Sequence, residues 1–300
     1  MSKIKPCLWF DHQAEEAAQF YTSLFKDSRI GKVSRYGKEG FEVHGQPEGK
    51  VLTVDFELAG YNLLALNGGP HFSFTPAISL FVVLESEAEV DALWAGLGKG
   101  GGVLMPLQAY DWSKKYGWLS DRYGLSWQIM LGRKADVGQT ICPSLLFVGP
   151  QAGKAEEAVK FYTSVFGGSE IQGIARHEGD GGEPAGTVKH AQFRLVGETF
   201  MAMDSALDHK FGFNEAVSFV VNCDTQAEIE RFWAALSAVP QAEQCGWLKD
   251  RYGVSWQIVP SILPQLMSDP DPERSGRVMT ALLGMKKLEI DQLQAAHRGA

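Results

Sequence analysis

Two stretches of the chain carry polar trios at matching positions. Thr53, Asp55 and Glu57 alternate with Val54 and Phe56 in "VLTVDFEL"; His190, Gln192 and Arg194 alternate with Ala191 and Phe193 in "VKHAQFRL". A period of two puts each trio on one face of a strand. Imidazole titrates near neutral pH, which makes His190 the candidate general base. If both faces line cavities, the first is acidic and the second neutral to basic. A merely solvated strand face is the plain alternative.

Amides form a second group. "GWLSDRYGLSWQI" from Gly117 and "GWLKDRYGVSWQI" from Gly246 share eleven of thirteen residues. In them Trp127 and Trp256 alternate with Gln128 and Gln257, so the amides face away from the tryptophans. A buried amide needs partners or water, which makes Gln128 and Gln257 pocket candidates. Asp121 and Gly124 are explained by turn chemistry: the carboxylate accepts turn amides and glycine tolerates positive φ. Trp112 lies in "AYDWSKKYGW", an insertion that the second copy lacks, where an aromatic ring at a cup mouth could stack on a flat ligand. The plain alternative is that it covers a core.

These residues need elements to hold them, and the elements are also duplicated. "AEEAAQFYTSLF" from Ala14 returns as "AEEAVKFYTSVF" from Ala155, and "FTPAISLFVVLESEAEVDALWAGL" from Phe74 returns as "FNEAVSFVVNCDTQAEIERFWAAL" from Phe213. A repeat of this length is a duplicated domain. Ala14, Ala17, Ala18, Tyr21 and Phe25 have helical spacing. Ser86 with Glu89, and Thr225 with Glu228, have capping-box spacing before a second helix. Each half therefore spells strand, helix and three strands, twice over. The polar, glycine-containing stretch between Leu131 and Thr140 separates the halves. Val278, Leu282, Met285 and Leu288 predict a helix in a C-terminal tail.

Composition excludes some classes. A net charge of −8 with no basic run argues against a nucleic-acid partner. No apolar stretch approaches the roughly 18 residues of a membrane span. "MSKIKPCLWF" lacks a signal-peptide core. Cys7, Cys142, Cys223 and Cys245 show no C-x-x-C spacing and read as reduced thiols in a cytoplasmic protein.

"FYTSLF" after the first helix and "DRYGLSWQI" near the end of the half resemble the vicinal oxygen chelate superfamily, which includes glyoxalase I, bleomycin-resistance proteins and extradiol dioxygenases. "GWLKDRYGVSWQIVP" and the tail "VMTALLGMKKLEIDQLQAA" resemble its PhnB-like group, often labelled a 3-demethylubiquinone-9 3-methyltransferase domain. The resemblance runs nearly the whole chain, twice. It implies an α+β fold of tandem glyoxalase-like domains, at 1–135 and 140–263 with a helical tail at 264–300. Each domain is made of paired βαβββ modules with curled mixed sheets. It also implies that the two halves act as a pseudo-dimer within one chain, with a homodimer of the whole chain as a further partner.

Metal-using members of the superfamily hold a divalent ion on the first and last strands of their modules. By position, the resemblance puts those ligands at or near Cys7 and Ser144, at Gln128 and Gln257 where glutamate is common, near Ala65 or Asn67 and Ser79, and near Ala202 or Asp204 and Ser218. Glutamine in place of glutamate removes charge that an ion in a partly dry cup requires. The expectation is therefore no metal and no other cofactor, with a divalent metal as the alternative. Methyl transfer of the doubly wound type needs a glycine-rich turn after the first strand, and "CLWFDHQAEEAAQFY" has none. The functional expectation is binding of a small molecule in a cup. A metal-dependent lyase, isomerase or dioxygenase, or an interaction module with filled cups, are the alternatives, and the sequence leaves enzyme status open.

Overall fold

The computed structural model describes residues 2–179 and 181–300. The first half runs β1 (Ile4–Phe10), α1 (Ala14–Leu24), β2 (Arg29–Arg35), α2 (Phe41–His44), β3 (Val51–Leu58) and β4 (Tyr61–Asn67). It continues through β5 (Ile78–Leu84), α3 (Glu87–Leu97), β6 (Gly102–Tyr110), β7 (Ser113–Ser120) and β8 (Ser126–Leu131). A short α4 (Lys134–Val137) leads to β9 (Ile141–Phe147), α5 (Ala155–Val165), β10 (Glu170–Arg176), β11 (Val188–Leu195) and β12 (Glu198–Asp204). Then come β13 (Val217–Cys223), α6 (Gln226–Leu236), β14 (Trp247–Lys249) and β15 (Ser255–Pro260), followed by α7 (Leu263–Leu266), α8 (Pro272–Leu283) and α9 (Ile290–Arg298).

The strand–helix–three-strand unit appears complete three times. The fourth unit lacks its second strand. Between α6 and β14, residues 237–246 contain Pro240 and a single 3-10 turn. The matching stretch of the first half, 98–112, is longer and holds β6. Proline at that point also removes a ladder donor.

Two mixed sheets result. One has the order β14-β15-β13-β1-β4-β3-β2, the other β10-β11-β12-β9-β5-β8-β7-β6. Each sheet therefore joins a unit from one half to a unit from the other. The seams are antiparallel, with Cys7 opposite Ser218 and Ser79 opposite Ser144. Helices α1, α3, α5 and α6 cover the convex faces. Leu8, Phe10, Val54, Phe56, Trp127 and Ile129, with Ala17, Ala18 and Tyr21 of α1, belong to one buried cluster that both halves share. Burying a large apolar side chain of this kind is worth about 1.5–3 kcal/mol, which fixes the polar partners of each strand on the concave side.

The repeated phrase acts as a staple between turn, helix and strand. Asp121 accepts from the backbone amides of Tyr123 and Leu125 at 2.8 and 3.1 Å. Its other oxygen accepts from the Tyr21 phenol of α1 at 2.7 Å and the Trp127 indole at 2.8 Å. Asp250 repeats all four bonds with Tyr252, Val254, Tyr162 and Trp256. Gly124 closes the turn at φ +88°, where a side chain would be strained.

Candidate functional site

The concave face of the seven-stranded sheet forms the first cup. Cys7, Asp55, Ser218 and Gln257 lie on it by register. Gln257 donates to the Ser218 hydroxyl at 3.0 Å. Lys5 forms a salt bridge with Asp55, and Arg29 with Glu57, while Thr53 hydrogen-bonds Ser34. The expectation of an acidic first cup is therefore corrected: both carboxylates are paired with cations from β1 and β2. Cys7 is buried, and that burial pushes its thiol up to about 11, with Gln257 pulling it partly back. Trp9 and Trp247 meet edge to face at 5.8 Å. The Ser255 hydroxyl is buried without a partner among the described residues.

The tail bridges the two edges of this sheet. Lys32 of β2 donates to the Pro264 carbonyl on α7 at 2.8 Å. At the opposite edge, the amides of Cys245 and Gly246, just before β14, donate to Met285 and Lys286 at 2.8 and 2.7 Å. In flat sheet order β15 and β2 are five spacings apart, about 24 Å. The residues from Pro260 to Pro264 span only roughly 10 Å. The sheet must therefore curl to bring these groups together.

The eight-stranded sheet forms the second cup, and its concave face is more apolar. Phe81, Val83, Tyr116, Val137, Cys142 and Met201 make a cluster of their own, joined by Met105, Tyr110, Trp118 and Met130. Val137 enters from α4, which follows β8 as α7 follows β15. Gln128 is 1% exposed; it accepts from the Tyr116 phenol at 2.8 Å and approaches the Ser144 hydroxyl at 3.5 Å. Ser126 accepts from the Trp118 indole at 2.7 Å and pairs with Ser79 at 2.8 Å. The amide and hydroxyls predicted to line a pocket here thus satisfy one another.

His190 and Gln192 stand at an open part of this cup. Together with Gln172, Gly173, Ile174 and Ala175 they line a cavity of about 290 Å³. Gln192 donates to Gln172 at 2.9 Å and to the Asp136 carbonyl at 3.0 Å. His190 packs on Phe81 at 6.4 Å between ring centroids, and burial lowers its pKa from the ordinary 6.5. Arg194 donates to the Gly197 carbonyl instead, and its Nε is buried without a partner among the described residues. Trp112 is 53% exposed and stacks on Tyr110 at 4.9 Å. Sequence reasoning missed the whole β10 wall; Gly173 within a strand was the available signal.

The ligand positions implied for a metal do not fit one. Ala65 and Ala202 point into the helix-side core. Asn67 and Asp204 accept the first amides of α1 and α5, Ala14 at 2.8 Å and Ala155 at 3.0 Å. Leu64 is the β4 residue that stands beside Cys7, and Met201 the β12 residue beside Ser144. Among the described residues no three His, Cys, Asp or Glu side chains converge. A protonated thiol, an amide, a hydroxyl and a leucine would leave a divalent charge uncompensated.

The sequence profile of the 3-demethylubiquinone-9 3-methyltransferase family matches residues 2–130 and again 139–259. A putative 3-demethylubiquinone-9 3-methyltransferase, PhnB protein, from Bacillus cereus is 43% identical over 44% of this chain and 100% of its own, with a TM-score of 0.40. Glyoxalase I from Zea mays is 9% identical over 89% of this chain and 97% of its own, with a TM-score of 0.56. A putative dioxygenase from Bacillus subtilis is 12% identical over 90% of this chain and 88% of its own, with a TM-score of 0.51. No curated protein matches the chain. Matched over both halves, and folded like glyoxalase I, the chain belongs to the PhnB-like, 3-demethylubiquinone-9 3-methyltransferase family.

Proposed function

We propose that this protein binds a small molecule on the concave face of the eight-stranded sheet, in the cavity beside His190. The observation that carries this reading is the cavity itself: about 290 Å³, lined by two amides and one imidazole, close to the lower limit of roughly 300 Å³ for ligand pockets. Gln128 and Gln257 take no direct part, since both are buried and hydrogen-bonded within the protein. The filled-cup alternative suits the first cup better, where the tail spans both edges.

A second reading adds chemistry at the same place. A His190 imidazole held neutral by burial is in the form that accepts a proton. The methyl transfer in the family's description is not adopted for this chain. Fold alone does not carry activity, and Asp11–Gln13 between β1 and α1 provide no glycine-rich phosphate turn.

Gly173 supplies the test. It pairs with Gln192, so both residues project to the same side, and a Cβ added there meets nothing within 4 Å. Gly173→Phe should fill the cavity without disturbing the fold. Compounds that raise the thermal midpoint of the wild type should lose that effect in the variant. Unchanged responses in a folded Gly173→Phe protein would sink the reading. His190→Ala should weaken binding and abolish any turnover found, while the protein stays folded.

A further inference from the structure

Rings run in contact across the second cup from solvent to the cavity. Exposed Trp112 stacks on Tyr110 at 4.9 Å and meets Tyr116 at 5.8 Å. Tyr116 lies 6.4 Å from Phe81, and Phe81 lies 6.4 Å from His190. The first cup gathers its rings differently, around Trp9 with Trp247, Phe72 and His71, and its fourth unit has no strand matching β6, which ends at Tyr110.

The cavity wall is uncharged and mostly apolar, with a few polar groups set into it. Its lining holds amides, an imidazole and apolar backbone-flanking groups, with no carboxylate and no ammonium or guanidinium. Nearby charges are engaged elsewhere: Arg194 with Gly197 and the Asp136 carboxylate with Arg133. An anionic or cationic ligand would give up part of its hydration here with no opposite charge in the lining to balance it. A flat ring, by contrast, gains an edge-to-face or offset contact with the His190 ring, which Phe81 backs, beyond its buried area. The His190 ring makes no side-chain hydrogen bond among the described residues, so it can meet a hydroxyl or carbonyl on the ligand.

We propose that the ligand of the second cup is an uncharged, flat aromatic compound, no larger than about two fused rings, with one hydrogen-bonding substituent directed at His190. This rests on the reading that the cavity binds a small molecule, and the test separates the two. Isothermal titration of the full chain uses three matched probes: 2-naphthol, its saturated analogue decahydro-2-naphthol, and 2-naphthoate. The naphthol should bind at least about tenfold more tightly than either of the others. Gly173→Phe should abolish its binding, and Phe81→Leu should weaken it several-fold while the protein stays folded.

Binding of the saturated alcohol or the naphthoate as tightly as the naphthol, at a site that Gly173→Phe blocks, would overturn the ligand class and leave the pocket standing. Naphthol binding that survives Gly173→Phe would overturn both. If none of the three probes binds, the class is overturned, and the wider thermal screen decides on the pocket.

Discussion

The phenol of Tyr21 donates a 2.7 Å hydrogen bond to the buried carboxylate of Asp121, one hundred residues further along the chain. Tyr162 and Asp250 repeat it at the same length. This bond ties the first helix of a half to the last turn of that half, although the two belong to different sheets. Tyr21→Phe removes one of four donors to the carboxylate. A bond to a charged group is worth about 1.5–3 kcal/mol, so urea unfolding should show a loss in that range. Asp121→Ala should cost more, because it strands both the Tyr21 phenol and the Trp127 indole. A loss below about 0.5 kcal/mol for Asp121→Ala would contradict the staple.

Each sheet takes strands from both halves, so a half cannot complete either one. A fragment of residues 2–135 exposes the seam edges of β1 and β5, which pair with β13 and β9 in the full chain. Unpaired edges invite association. On gel filtration this fragment should run as a dimer or aggregate. A monomer that unfolds cooperatively would count against the seams as the basis of the fold.

Thiol reactivity should follow burial. Desolvation raises Cys7 to about 11 and Cys142 and Cys223 to about 12. At pH 8 only roughly one Cys7 thiol in a thousand is ionised. Cys245 is half-buried and should be alkylated first by iodoacetamide, as read by peptide mass mapping. The other three should react only on unfolding. A chain ending at Ser268 loses the bonds from Cys245 and Gly246 to Met285 and Lys286, and should label faster at Cys245.

His190 should give stability a pH dependence of known sign. Its folded pKa lies below the ordinary 6.5 because burial disfavours the charged ring. Above that value neither state binds the proton and the contribution is constant. Below it the unfolded chain takes up a proton that the folded protein resists, so stability falls, by up to about 1.4 kcal/mol per pH unit until the folded pKa is reached. Urea midpoints between pH 7.5 and 5 should drop more steeply for the wild type than for His190→Asn. Parallel curves would show that the ring titrates as it does in the unfolded chain.

The sequence by itself determined the local structure and the face of each strand. Period-two alternation put Gln128 opposite Trp127 and His190 opposite Phe193, and the concave and convex faces follow it. The capping residues Ser86 and Thr225 accept the amides of Glu89 and Glu228, each at 3.2 Å. The duplication announced itself because turn chemistry demands the same Asp and Gly in both copies. Tertiary structure alone decided which unit neighbours which. Alternation says which side of a strand is buried; it does not say which other strand lies alongside, and a one-residue slip exchanges the faces. That is why Leu64, rather than Ala65 or Asn67, stands beside Cys7, and why Lys5 on another strand neutralises Asp55. The cavity beside His190 has the same origin. It exists because Gly173 on β10 faces Gln192 on β11, a juxtaposition set by long-range pairing.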